Sequence, residues 1–265
     1  MLCLELFVRV DLIRGLFAVL SLNLAIPAIQ SQEAAAPFER QPVLVELFTS
    51  EGCSDCPPAD ALLARLDATQ FVPGAEAIVL SEHVTYWDHD GWRDPFSLEA
   101  LTVRQERYVE RFGLSSSYTP QMVVDGATQL VGNNSQALSR AVASAAERRK
   151  KPLRIEGAQW NKDTIQFSVN GEMETGAELV AALAENATHS EVSRGENAGR
   201  TLHHVAVVRV MKEFGSNAAD GQQLRLSASG LSHADEVKGS IRLVVFLVDH
   251  KSGRVISAAE QTLSR

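Results

Sequence analysis

Pro42-Val43-Leu44-Val45-Glu46-Leu47-Phe48-Thr49 runs into Ser50-Glu51-Gly52, then Cys53-Ser54-Asp55-Cys56-Pro57-Pro58, then Ala59-Asp60-Ala61-Leu62-Leu63-Ala64-Arg65-Leu66. The first segment is nearly continuous and apolar, which predicts a strand buried on both faces of a sheet. Ser50-Glu51-Gly52 breaks it. Leu62, Leu63 and Leu66 recur at helical spacing, and Pro57 and Pro58 suit a first turn whose N–H groups have no partner inside the helix. Ser54 or Asp55 is the expected N-cap. A Cys-x-x-Cys pair therefore sits at the mouth of a helix, directly after a buried strand.

That position has a chemical consequence. The N–H groups and dipole of a helix N-terminus favour a thiolate, lowering its pKa and raising its reactivity. Cys53, the more N-terminal thiol, is expected to be exposed and to attack, with Cys56 resolving the mixed disulfide. Two other readings of the pair stay open. One is an inert structural bridge, although so small a loop constrains the unfolded chain little. The other is a metal site in which the thiolates join His83 and the Asp88-His89-Asp90 stretch.

Outward from the pair, Ala77–Val84 reads as a second strand and Thr85–Pro95 as a polar, aromatic loop holding Tyr86, Trp87 and Trp92. The two tryptophans read as packing residues. A helix is predicted from about Ser97 to Phe112, begun by Ser97 and ended by Gly113. Gln121–Val124, the Asp125-Gly126 turn and Thr128–Gly132 make a hairpin. Asn134 or Ser135 caps a further helix reaching about Arg149. Right-handed crossover makes the first two strands parallel, and the hairpin completes a mixed sheet flanked by helices.

Beyond Pro152 the pattern changes. Leu153–Gly157, Thr164–Val169, Glu178–Leu183, His204–Val210, Gln223–Ser227 and Ile241–Val248 read as strands, with turns at Asn170-Gly171 and Ser252-Gly253. This spacing predicts a second, all-β, sandwich-like domain over 152–265, following an α/β domain over 37–151. The charged segment Arg194–His204 between two of these strands admits two readings. It is either a loop ion-pair cluster, or a polar site in which Arg194, Glu196 and Arg200 face the dithiol.

At the N-terminus, Arg9 and Arg14 precede the apolar run Gly15–Ile26, and small and polar residues follow to Pro37. This is the pattern of a secretory signal over 1–36, cleaved after Ala28 or after Ala36 and too short to span a membrane. An uncleaved anchor or a buried N-terminal helix is the alternative. Export to the periplasm or beyond would remove Cys3 and leave Cys53 and Cys56 alone in the mature chain. A net charge of −8 opposes nucleic-acid binding, which needs a basic face. The one basic run, Arg148–Lys151, reads as a helix end complementing the macrodipole.

The dithiol after the first buried strand, together with Thr119-Pro120 before the hairpin, resembles the thioredoxin superfamily. By that resemblance the fold of residues 37–151 is thioredoxin-like and the Thr119–Pro120 bond is cis. Thr119 would then pair with an extended substrate, and Cys53, Cys56, Thr119 and Pro120 form the active centre. More closely, Glu46–Asp60, His83–Asp88, Tyr118–Gly126 and Arg194–His204 resemble a secreted bacterial family known as domain of unknown function 1223. That family's activity is not established, so this closer resemblance strengthens the fold and location; the thioredoxin resemblance and the dithiol imply a thiol–disulfide oxidoreductase that needs no organic cofactor. It would act on a protein or small thiol and depend on a dedicated redox partner. A non-catalytic binding or scaffold protein on the same fold is the rival expectation. Two departures matter: Ser54-Asp55 replaces the usual Gly-Pro between the cysteines, and no tryptophan precedes Cys53. A carboxylate beside the thiols disfavours the thiolate, so a comparatively reducing couple is expected.

Overall fold

The computed structural model describes residues 40–89, 91–172, 176–215, 220–229, 231 and 240–264. The expected leader and Asp90 lie outside the described residues. The chain forms β1 (Gln41–Thr49), α1 (Pro57–Thr69), β2 (Ala75–His83), α2 (Glu99–Phe112), β3 (Gln121–Val124), β4 (Thr128–Val131) and α3 (Ser135–Ala146). There follow β5 (Leu153–Asn161), β6 (Thr164–Gly171), β7 (Ala177–Glu191), β8 (Thr201–Gly215), β9 (Leu224–Ser227), β10 (Ile241–Asp249) and β11 (Val255–Leu263). Among the described residues, no helix is long and apolar enough to cross a membrane.

Eight strands make one mixed sheet in the order β11-β10-β7-β8-β2-β1-β3-β4, and β5-β6-β9 make a second. β1 runs parallel to β2, as crossover through α1 requires, and antiparallel to β3. The hairpin between β3 and β4 turns on Asp125 and Gly126, both at positive φ, as a tight two-residue turn demands. A Cβ on Gly126 would fall 2.3 Å from the Gly253 carbonyl oxygen, so this turn abuts the β10–β11 connection. The Asp125 carbonyl also accepts the Val255 N–H at 2.9 Å.

The strands after residue 151 do not form a free-standing sandwich. β7, β8, β10 and β11 extend the first sheet, with β8 joined in parallel to β2 at Ser81 and Val207. Two-sheet packing is present, but one of the two sheets is this shared one. Ile165, Phe167 and Val169 of β6 pack with Leu179, Ala181 and Leu183 of β7 and Leu243, Val245 and Leu247 of β10. The alternate residues Val180, Ala182, Ala184, Val244 and Phe246 belong to the core built on β1, β2, α1 and α3. β7 and β10 are therefore apolar on both faces because both faces are covered.

Several local expectations change. α1 starts after Cys56 and α2 after Leu98, neither with a side-chain cap, so Ser54, Asp55 and Ser97 do not cap these helices. The Ser97 hydroxyl instead donates to Asp88 Oδ2 at 2.8 Å. Asn134 does cap α3, accepting the Ala137 N–H at 3.0 Å. The basic run lies beyond the end of α3, and Lys150 turns inward to Asp125 Oδ1 at 2.7 Å.

Candidate functional site

β1 hands the chain to a tight turn in which the Cys53 N–H meets the Ser50 carbonyl at 3.2 Å and the Gly52 N–H meets Ser50 Oγ at 3.1 Å. Cys56 N–H returns to the Cys53 carbonyl at 3.2 Å, and Pro57 and Pro58 open α1. Cys53 and Cys56 are joined as a disulfide with Cα atoms 5.4 Å apart.

The exposure expected for Cys53 is not observed: Cys53 is 1% and Cys56 0% exposed. The cover is the β7–β8 hairpin. Asn197, itself fully buried, donates through Nδ2 to the carbonyls of Glu51 at 2.8 Å and Cys53 at 2.9 Å. Arg200 donates to Asn197 Oδ1 at 2.7 Å, which fixes the amide with its NH2 toward those carbonyls. Glu196 accepts the Ser54 N–H at 3.0 Å, and its bonds to Ser54 hold its carboxyl below the usual range. From the arms of the hairpin, Ser190 donates to Glu51 Oε1 and His204 Nε2 lies 3.1 Å from the same atom. One hairpin thus grips residues 51–54 from both sides and across the top. Of the expected polar trio, Glu196 and Arg200 take part.

Asn197→Ala removes two hydrogen bonds to buried carbonyls, a loss of ~1–3 kcal/mol each where the acceptor stays buried. Reduction of the disulfide by dithiothreitol, followed by alkylation and mass measurement, is expected to run about tenfold faster in this variant. An unchanged rate would show that the hairpin is not what limits access.

The Thr119–Pro120 bond is cis. Pro120 leads into β3, and its carbonyl accepts the Gly132 N–H at 2.9 Å. A Cβ on Gly132 would meet Pro120 Cβ at 2.9 Å, Ala59 Cβ at 3.1 Å and Leu47 Cδ1 at 3.1 Å, which seats Pro120 close to the first turn of α1. On the other side, Trp87 donates from Nε1 to Thr119 Oγ1 at 2.7 Å. Its backbone is so close to Gly52 that a Cβ there would lie 3.0 Å from Trp87 O. The four expected residues therefore share one neighbourhood, with Trp87 linking the dithiol turn to Thr119. Trp92 is likewise more than packing, since it donates to Glu51 Oε2 at 2.8 Å.

Beneath the turn lies a buried polar cluster. Asp94 Oδ2 accepts the Glu51 N–H at 2.8 Å and meets His83 Nδ1 at 2.7 Å. Burial works to raise Asp94, but the His83 charge and these hydrogen bonds hold it down at about 2. His204 lies between Glu51 and Asp60, whose Oδ2 is 3.8 Å from Nδ1, an ion-pair distance rather than a hydrogen bond. Burial lowers the His204 pKa, yet the two carboxylates outweigh it and bring the imidazole up to about 10. His83 is thus a carboxylate-held histidine. Among the described residues, no group of three or more His, Cys, Asp or Glu side chains is arranged to hold a metal ion.

Comparison with known proteins gives a family and a fold. The family model described as protein of unknown function (DUF1223) matches residues 44–247. A crystal structure of a structural-genomics target from Agrobacterium tumefaciens superposes with a TM-score of 0.62 at 22% identity. The match covers 86% of this chain and 99% of that one, which shows a shared fold. No curated protein matches the chain.

Proposed function

Since the chain belongs to the DUF1223 family, whose description assigns no activity, we propose from its own residues that it is a thiol–disulfide oxidoreductase-like protein of the thioredoxin superfamily. The carrying observation is the Cys53–Cys56 bridge at the mouth of α1 beside the cis Thr119–Pro120 turn. A three-residue separation adds little stability to the native state, so a bridge at this spacing is of more use as chemistry than as a staple. The apolar, arginine-preceded N-terminal segment supports action in the periplasm or outside the cell, where a dedicated reductant is required to keep such a pair cycling. The substrate class is a protein or small-molecule thiol, admitted when the β7–β8 hairpin swings away.

A second reading is favoured by one observation, the near-complete burial of both cysteines. In it the bridge is structural, and the molecule is a secreted binding or scaffold protein.

The reduction potential separates the two. Titration of the purified protein against glutathione and dithiothreitol mixtures, read by alkylation of Cys53 and Cys56, is expected to give a value between about −120 and −270 mV. A couple below about −300 mV would mark a structural disulfide and sink the oxidoreductase reading.

A further inference from the structure

His204 lies on β8 at the base of the disulfide loop. Glu51, 3.1 Å from its Nε2, precedes Cys53 by two residues. Asp60, 3.8 Å from its Nδ1, follows Cys56 by four and sends its N–H to the Cys56 carbonyl at 3.1 Å. One imidazole therefore spans the two chain segments that enter and leave the bridge, and all three side chains are buried.

The groups around it come from five elements. Glu51 comes from the turn after β1 and Asp60 from α1. His83 from β2 packs edge-on with ring centroids 4.7 Å apart, and Asp94 stands behind it. Phe96 closes another side at 5.7 Å. From β7 come Thr188, opposite His204 in the ladder, and Ser190, neither of which titrates. Two carboxylates thus face the one imidazole directly, and its retained proton balances only one of them.

The exchange reaction makes this balance matter. A partner thiolate attacks one sulfur of the bridge, the S–S bond breaks, and the other sulfur leaves as a thiolate. A second thiolate of the partner then attacks the partner's own sulfur in this mixed disulfide, and the cysteine sulfur that was attacked first leaves as a thiolate. The partner's dithiol becomes a disulfide, and both cysteines of this chain end as thiols holding the two protons the partner gave up. The leaving thiolate is an anion formed in a buried surrounding that already holds carboxylates, a costly place for it without a nearby cation.

We propose that His204 is a positioning residue for the dithiol, tying Glu51 to Asp60 across the loop and supplying the buried positive charge that favours the thiolate formed when the bridge opens. This rests on the oxidoreductase reading above.

The test uses fully reduced protein and follows iodoacetamide alkylation of Cys53 and Cys56 against pH. His204→Gln is expected to raise the alkylation midpoint by about one pH unit, which is about tenfold less thiolate at neutral pH. Asp60→Asn removes a negative charge from the same cluster and is expected to lower the midpoint. Both variants are expected to lower thermal stability, so midpoint shifts of opposite sign distinguish positioning by charge from simple support of the fold. No shift in His204→Gln, or shifts of the same sign in both, overturns the proposal. Should His204→Gln fail to fold, Asp60→Asn and Glu51→Gln carry the test, and a raised midpoint in both overturns it. Failure of the redox reading looks different: glutathione mixtures would never open the wild-type bridge, while the alkylation shifts in dithiothreitol-reduced protein would remain.

Discussion

Arg104→Met is expected to cost about 3–5 kcal/mol and lower the melting temperature by roughly 10 °C. The guanidinium, 11% exposed, lies 2.6 Å from Glu46 Oε1 and 3.7 Å from Glu82 Oε2, and both carboxylates are fully buried. Tyr108 donates to Glu46 Oε2 at 2.6 Å and accepts from Arg104 at 3.1 Å. The charge also sits over the rings of Tyr108 and Phe246, at 5.4 Å and 5.3 Å. Burial, and then the Glu46 charge beside it, pushes Glu82 well above the usual carboxylate range, while Glu46 has Arg104 at 2.6 Å as its partner. Arg104 is therefore the counter-charge of Glu46, and its removal strands a carboxylate in the core. Methionine keeps much of the packing, which leaves charge as the main variable. The double variant Arg104→Met, Glu46→Gln should recover most of the loss. Thermal melts of the four proteins in this cycle check it, and a single-variant loss under about 1 kcal/mol would mean that the cluster is satisfied in some other way.

Stability is expected to fall as pH rises from about 6.5 to about 10, and His204 is the reason. Unfolded, its imidazole titrates at the ordinary 6.5; folded, it holds its proton to about 10. Below 6.5 both states are charged and the full contribution of the Glu51–His204–Asp60 bridge is present. Above 6.5 the unfolded state sheds the proton while the folded state keeps it. The contribution is then lost progressively, and is gone once pH passes the folded value. The difference corresponds to about 5 kcal/mol at its full extent. Urea denaturation at pH 6, 8 and 10 measures it, with His204→Gln as the reference that subtracts every other titrating group. A wild-type-minus-variant difference that stays flat over this window would show that His204 is not charged in the folded protein.

Much of this fold can be read from residues alone. The apolar run 42–49, the helix-spaced leucines at 62, 63 and 66, and Asp125-Gly126 each state their local structure. In those places backbone preference and burial agree. What periodicity does not carry is the identity of a strand's neighbour. β7 and β10 were expected in a sandwich, where one face of each strand meets water and apolar residues alternate with polar ones. Their continuous runs, Leu179–Ala184 and Leu243–Val248, instead suit strands covered on both sides. That signal was present, and it points to a shared sheet. The site divides in the same way. Cys53, Cys56, Thr119 and Pro120 were legible because their chemistry is bound to short motifs. Asn197 and His204 were not, because each acts on residues more than 140 positions away in the chain. A lone asparagine in a charged loop and a histidine in an apolar strand have no local pattern that names their partners.

The place of β8 also bears on self-association. β2 has β1 on one side and β8 on the other, and eight of its nine residues are buried. A chain ending near residue 151 would present that strand as a bare, apolar border, a ready template for a second copy to add its own strand. The two borders of the eight-stranded sheet, β4 and β11, are blunted. β4 has only four residues, and β11 places Glu260, Gln261 and Thr262 along its outer half. The later half of the chain thus does more than cover the cysteines: it keeps the sheet from growing.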